Sequence, residues 1–389
     1  MDVARLCSSL VRIRSENPPG NTAEAVEYIQ GFLDTLGVQS TVVRSHGGRA
    51  NLVSEEADAR LLLCGHLDVV PALPEGWRHD PFSGAIEDGY VWGRGSTDMK
   101  GGCAALLSAY KECVDAGGEP KVRFAFVCDE ETGGEYGIRY LLAKNLLQPC
   151  DCLIAEPTPP LCPAIGQKGL CRLEMRFRGE PGHGSLYPRM GRSAIMEAYA
   201  LLEYLHDLHG HEFVADGETR ALIERSMKVL EETLAAEGQG DILTRIMYNP
   251  GCIEGGEKAN IVAQHCTMEL DVRVPWGCST EHLIGLIADR AENATLRVLS
   301  VFEPTLTPPD TLLVTALCAE IERVHAAPAS PIFQWAASDA RYLRNAGFSV
   351  ADYGPGEIDT LHAVDERTSI AGLEKAVDVY RGLIAAYSS

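Results

Sequence analysis

Residues 59–71 read ARLLLCGHLDVVP. The run from Leu61 to Cys64 is apolar without alternation, which predicts a strand covered on both faces, as in a parallel sheet sandwiched between helices. It stops at Gly65-His66, so that His66, and Asp68 two residues on, are delivered at a strand's carboxyl end. In open α/β sheets that end borders the ligand crevice. Two more runs behave the same way. Lys121–Cys128 (KVRFAFVC) delivers Asp129, Glu130 and Glu131, and Cys152–Ala155 delivers Glu156.

Outward from these runs, helices alternate with strands. Asn21 and Glu24 read as a capping pair opening a helix with Val26, Ile29, Phe32, Leu33 and Leu36 on its apolar face, set off from a short first helix by the Pro18-Pro19-Gly20 turn. Strands are predicted at Thr41–Arg44, Asn51–Ser54 and Tyr90–Gly93. The last leads through a glycine-rich turn holding Asp98 (GRGSTDMKGG) into a helix with Leu106, Leu107, Tyr110 and Val114 inward. A helix over Glu135–Asn145 follows. This alternation predicts an α/β domain with a mixed, largely parallel sheet flanked by helices.

The pattern changes near Gln167. Strands at Gly169–Gly179, Asn260–Val274 and Leu296–Phe302, with helices at Arg192–Leu208 and Thr280–Ala291, form a compact α+β set of ferredoxin-like type. It reads as an insert spanning 168–304 between the two parts of the first domain, 1–167 and 305–389. The charged, partly helical stretch His209–Asp241 embellishes the insert. A helix at Leu312–His325 begins the return. Two domains also suit 389 residues, a length beyond what one core usually supports.

Composition narrows the function classes. A formal net charge of −21 argues against nucleic acid or an anionic membrane surface as partner. No apolar run reaches the roughly 18 residues needed to span a bilayer, and the N-terminus lacks a signal-peptide pattern; a cytoplasmic enzyme is the simplest reading. The thirteen cysteines are scattered singly, several within apolar runs, as suits reduced buried thiols. Cys150, Cys152 and Cys162 lack a second pair to complete a tetrahedral soft-metal set. His206, His209 and His211 have no surrounding carboxylates and read as surface residues at a helix end.

What remains is a set of hard ligands: His66, Asp98, Glu130 with Glu131, Glu156, and His362 in LHAVDE. Imidazole nitrogen and carboxylate oxygen are what Zn²⁺ and similar divalent cations take. A pair of cations about 3.5–4 Å apart needs a bridging ligand. Asp98 fits the bridge, because the glycines around it let the backbone come close. Of Glu130 and Glu131, one can ligate while the other faces the water; the residues alone do not say which.

Taken in order, these motifs resemble the dinuclear-zinc aminoacylase/carboxypeptidase family that contains acetylornithine deacetylase, succinyl-diaminopimelate desuccinylase and several dipeptidases. The resemblance covers essentially the whole chain. It implies that His66, Asp98 and Glu156 hold one metal and Asp98, Glu131 and His362 the other, with Zn²⁺ favoured and Co²⁺ or Mn²⁺ as substitutes. Asp68 would orient His66, and Glu130 would be the general base. His183, in GEPGHGSLYP, would reach into the partner's site of a homodimer and donate to the oxyanion. Asn260 and Arg273 resemble substrate contacts, Arg273 as a carboxylate clamp. Arg341, in Ser338-Asp339-Ala340-Arg341, resembles a second carboxylate-binding arginine, and the turn Gly354-Pro355-Gly356 would present amides to the substrate. The implied activity is removal of an N-acyl group, acetyl or succinyl, from an amino acid; the alternative is a dipeptidase or carboxypeptidase on the same metal site. A non-catalytic descendant of the fold would have lost ligands, and none is missing here.

Overall fold

In the computed structural model, which describes residues 2–56, 58–234 and 238–388, the ARLLLCGH stretch forms the strand Leu61–His66, every residue of it buried. It lies mid-sheet, parallel to Val122–Val127 on one side and to Asp151–Ile154 on the other, and Ser349–Asp352 extends the parallel set beyond Asp151–Ile154. Antiparallel strands continue the sheet. Arg49–Ser54 pairs with Val122–Val127, Ser40–His46 pairs with Arg49–Ser54, and Ala164–Gln167 pairs with Ser349–Asp352. A strand with both faces covered needs no alternation, which is why Leu61–His66 opens on an unbroken apolar run, whereas Ser40–His46, at the sheet's edge, is largely half-buried or exposed.

Helices cover it. Lys100–Asp115 packs on Leu61–His66, Ala23–Asp34 on Arg49–Ser54, Leu312–His325 on Ser349–Asp352, and Ile370–Ser388 lies along Lys100–Asp115. The approach of Lys100–Asp115 depends on glycine. A Cβ at Gly101 would sit 2.2 Å from the Ser96 carbonyl oxygen, one at Gly102 would sit 2.1 Å from that of Ala155, and one at Gly65 would meet Cys103 Sγ at 2.6 Å.

Several local expectations shift. The helix expected to open on Asn21 and Glu24 begins at Ala23 with Thr22 as its cap residue. Thr22 Oγ1 is occupied in pairing with both the amide and the carbonyl of Ala50. Tyr90–Trp92 is not part of the large sheet; it is the middle strand of a small antiparallel one, between Ala85–Glu87 and Arg367–Ser369.

The described chain separates into two compact units, Met1–Ile165 with Leu306–Ile332 and Ala337–Ser389, and Gly166–Thr305 with Phe333–Ala336. The second contains a four-stranded antiparallel sheet in the order Met247–Gly255, His265–Val274, Gly169–Arg178, Ala294–Phe302. With helices Ala194–His209 and Thr280–Arg290 this is the βαββαβ sequence of a ferredoxin-like sheet. Its core joins Leu173, Met175, Met268 and Val272 of the strands to Leu201, Leu205, Leu283 and Ile287 of the helices. Ser279 caps the second helix, its side chain accepting from His282 N at 3.1 Å. The charged stretch His209–Asp241 contains the helix Gly217–Leu234; residues 235–237 of that stretch lie outside the described residues.

Candidate metal centre

All four parallel strands end on the same edge, and each supplies something there. His66 ends the first. Its Nδ1 lies 2.9 Å from the backbone oxygen of Asp68, so Nδ1 carries the proton and Nε2 is the ring's free lone pair when the ring is neutral. Nε2 stands 2.9 Å from Asp98 Oδ1 and 3.7 Å from Glu156 Oε1. Glu156 follows the strand Asp151–Ile154. Asp98 turns its other oxygen, Oδ2, to His362 Nε2 at 3.2 Å, and the same nitrogen is 3.4 Å from Glu131 Oε2. Two triads result, His66–Asp98–Glu156 and Asp98–Glu131–His362, each with its candidate ligand atoms within 4.8 Å of one another and with Asp98 common to both.

Glu130 belongs to neither triad. It opens the short 3₁₀ turn Glu130–Thr132, entered through Asp129 in the left-handed region, φ 72°. The Asp68 carboxylate holds this turn by accepting Glu130 N at 3.1 Å and Glu131 N at 3.2 Å, and it also accepts Asn17 Nδ2 at 2.9 Å. The Asp68 carboxylate is 3.6 Å from His66 Nδ1, beyond hydrogen-bond length, so Asp68 orients the imidazole through its main-chain carbonyl and the Glu130-Glu131 pair through its side chain. Asp129 is itself braced, accepting from Arg49 Nε and Asn17 Nδ2, both at 3.0 Å, and from Tyr136 N.

The electrostatics describe a pocket that demands cations. Burial holds Glu130 and Glu156 well above the usual carboxylate range, and burial followed by the Asp98 charge raises Glu131. Burial acts on Asp98 too, but hydrogen bonds from His362 and His66 outweigh it and lower its pKa. Burial would lower His66, yet Asp68 and Asp98 raise it well above the ordinary imidazole value, and Asp98 with Glu131 lifts His362 to about 10. In the chain alone, protons on two imidazoles offset the carboxylates. A divalent cation in each triad answers the same demand with the hard oxygen and imidazole donors it prefers, so the donor set fits.

The other expected residues are distributed as follows. Arg341 is buried in the first turn of helix Ala340–Asn345, its guanidinium 5.6 Å from the Tyr342 ring centroid. Asp339 beside it is 2% exposed, with no hydrogen-bond partner for either oxygen among the described residues, and it faces Glu130 electrostatically. Gly354 and Gly356 serve close packing: a Cβ on Gly354 would be 2.2 Å from the Ala155 oxygen, and one on Gly356 would be 2.6 Å from Thr97 Cγ2. The turn thus abuts the segments carrying Glu156 and Asp98.

In the second unit, His183 is exposed and its Nδ1 accepts from Ser185 N at 3.2 Å, which leaves Nε2–H as a donor. Asn260 is brought beside it, since Gly184 N donates to Asn260 O at 2.9 Å and His183 bridges Ile261. Asn260 lies in a turn and not on the strand, which starts at His265. Arg273 is on that strand, tied by Nε to Asp271 Oδ1 at 2.7 Å.

Sequence reading passed over Asn17, Arg49, Arg94 and Glu366. Two of these stood inside quoted motifs: Arg94 in GRGSTDMKGG and Glu366 in LHAVDE. For Arg94, which follows Tyr90–Gly93, a charged residue at an apolar segment's end was the available signal.

Residues 62–386 match the profile of peptidase family M20/M25/M40. The chain belongs to this family. It is similar to a succinyl-diaminopimelate desuccinylase of Sulfurovum sp. (27% identity, covering 99% of this chain and 98% of that one) and to an acetylornithine deacetylase of Vibrio campbellii (28%, 94% and 92%). Its fold is that of an M20 family metallo-carboxypeptidase from Sulfolobus solfataricus (TM-score 0.80, 20% identity, 100% of both chains). This M20 member is a hydrolase, and its two triads are a candidate dinuclear metal site. Among the described residues no helix is long and apolar enough to cross a membrane.

Proposed function

We propose that this M20 hydrolase removes an acetyl or succinyl group from the nitrogen of an amino acid, with two divalent ions, Zn²⁺ first among them, held by His66, Asp98 and Glu156 and by Asp98, Glu131 and His362. The observation that carries this is the pair of triads sharing Asp98, with a half-buried carboxyl, Glu130, beside them and in neither. Two bound cations supply Lewis acidity, which lowers the pKa of water and polarises a carbonyl oxygen. Glu130, held above the usual carboxylate range by burial, accepts a proton from the attacking water and returns it to the departing nitrogen. Asp68 fixes the turn that aims it. Arg273 and Arg341 bind substrate carboxylate, while Asn260 and the Gly354–Gly356 turn complete the contacts. Similarity over nearly the full length to relatives named for desuccinylation and deacetylation supports the deacylase reading over the peptidase one.

The protein acts as a homodimer in which His183 donates its Nε2–H to the oxyanion in the partner's site. In support, a groove of about 540 Å³ on the second unit is lined by Gly184, next to His183, and by Tyr187, Ile195, Met196 and Ile261, all exposed by more than a third. Ser193, Glu257 and Lys258 line it as well, and such a mixed apolar and polar surface suits a second copy.

The test is a panel of N-succinyl-diaminopimelate, N-acetylornithine and dipeptides, assayed after chelation and after return of Zn²⁺, Co²⁺ or Mn²⁺. Hydrolysis of an N-acyl amino acid only when metal is restored is expected. Full activity in verified metal-free protein, or turnover of dipeptides alone, overturns the reading. His183→Ala should lower kcat roughly 10²–10³-fold, the cost of one oxyanion donor. Mixed with Glu130→Gln under subunit exchange, it should recover activity in hybrid dimers; no recovery despite exchange refutes the cross-subunit role.

A further inference from the structure

One buried ion pair touches both loops that converge on the Asp98–Glu131–His362 triad. Glu366 is fully buried, and its Oε1 accepts three main-chain amides of a single turn: Gly95 N at 2.9 Å, Thr97 N at 3.0 Å and Asp98 N at 3.1 Å. Its Oε2 pairs with Arg94 Nη1, and Arg94, 4% exposed, reaches with Nη2 to the His362 carbonyl at 3.1 Å. The guanidinium is backed by the Trp77 ring, 5.3 Å from its centroid. The Thr97 hydroxyl ties the same turn to the Arg367 carbonyl at 2.6 Å.

His362 needs such support. Its φ is +57°, a left-handed conformation that a non-glycine residue holds only when its surroundings impose it. Asp365, at φ +62°, is in the same region, and its carboxylate accepts Arg78 N at 2.7 Å. The loop Leu361–Glu366 is therefore pinned at both ends, its ligand-bearing end by Arg94 at the His362 carbonyl and by the turn bonds Leu361 N to Ile358 O and Ala363 N to Thr360 O.

We propose that Glu366 and Arg94 are positioning residues that act as one clamp, fixing the Asp98 turn to the His362 loop and so setting the second metal position while leaving the first largely to the strands. The proposal rests on the dinuclear reading above. The asymmetry follows from which ligands the clamp touches. In the second triad it holds the backbone of two members, Asp98 and His362, and only Glu131 is held elsewhere, by Asp68. In the first triad it holds Asp98 alone; His66 and Glu156 are set by the Leu61–His66 and Asp151–Ile154 strands. Loosening the clamp then degrades the two positions unequally, which a general loss of packing would not do.

The full chain, stripped by chelation, is titrated with Co²⁺ and followed by calorimetry and visible absorption, with thermal melts of each apo variant. Glu366→Gln keeps the volume and an oxygen for the three amides but removes the charge that retains Arg94. Arg94→Lys keeps a charge but cannot reach both Glu366 and the His362 carbonyl. In both variants the first Co²⁺ should bind close to wild-type strength. The second should weaken by about 10–100-fold, the range seen when a partner orienting a ligand is removed. Equal weakening of both ions, unchanged binding of the second, or loss of the folded state in both variants overturns the clamp. A wild-type chain that takes up fewer than two ions overturns the dinuclear reading and the clamp with it. Two ions in wild type with no selective loss in the variants overturns the clamp only.

Discussion

The two triads share a carboxylate and little else. In His66–Asp98–Glu156 the imidazole is 1% exposed and both non-shared ligands arise at the ends of buried parallel strands. In Asp98–Glu131–His362 the imidazole is 51% exposed, sits on a loop in a left-handed conformation, and faces a glutamate carried on a 3₁₀ turn. The first position inherits its geometry from the core, whose packing must be disrupted before it changes. The second is assembled from loops and depends on hydrogen bonds made to it from outside. One chemical inventory, histidine plus carboxylates, is thus held by two physically different means in the same site, with different tolerance to change.

The largest expected effect tests whether Glu130 stands outside both positions. Glu130→Gln should lower kcat by about 10²–10⁴ with two ions still bound, since the amide keeps the shape but takes up no proton. Metal analysis alongside single-turnover rates decides it, and loss of an ion from Glu130→Gln but not from Glu131→Gln would reverse the assignment of the pair. Next in size is Asp68→Asn, which replaces a carboxylate acceptor of the Glu130 and Glu131 amides. Metal affinity should fall about 10–100-fold, and the ion lost first should be the one at Glu131. If the ion at His66 is lost instead, the carboxylate serves the imidazole after all.

The smallest effect is a pH dependence of cation uptake, read here at the exposed histidine although both imidazoles are raised above their ordinary value. His362 is raised to about 10 by Asp98 and Glu131, so below that pH an incoming cation must displace its proton. Affinity at the exposed position should therefore rise with pH between about 7 and 9, by up to about tenfold per unit for one proton. Co²⁺ titrations at several pH values, repeated with His362→Gln, should show the slope and its disappearance. A flat profile in the wild type would mean that the exposed ring is already neutral.

The strand-held half of the site was the half legible in the sequence. Leu61–Cys64 and Cys152–Ile154 announce buried strands because nothing polar interrupts them, Val122–Val127 does so with Arg123 as its one polar break, and the residues after each are ligand candidates by position. The loop-held half was legible only as residue types. Nothing in LHAVDE reveals that Glu366 bonds a turn some 270 positions earlier, because a buried charge is explained only by its partner. Asn17 and Arg49 were hidden for the same reason. The strand Met247–Gly255 was missed altogether: Pro250 and Gly251 interrupt it, its pairing register shifts there, and as an edge strand it is largely exposed and shows no apolar rhythm. Tyr90–Trp92 was seen but assigned to the wrong sheet, since three residues carry too little pattern to say which neighbours they have.

The glycine pressed against the Ala155 carbonyl has a consequence for how this enzyme tolerates variation. Gly102 bears no functional group and lies in a helix, where alanine is ordinarily the better residue. Yet a single methyl there would occupy space 2.1 Å from the carbonyl oxygen just before Glu156, and one on Gly354 would stand 2.2 Å from the same oxygen. A saturation screen scored on activity should thus find its least forgiving positions among these silent glycines as well as among the ligands. Attempts to stabilise the helix by the usual glycine-to-alanine exchange should disarm the centre they were meant to protect.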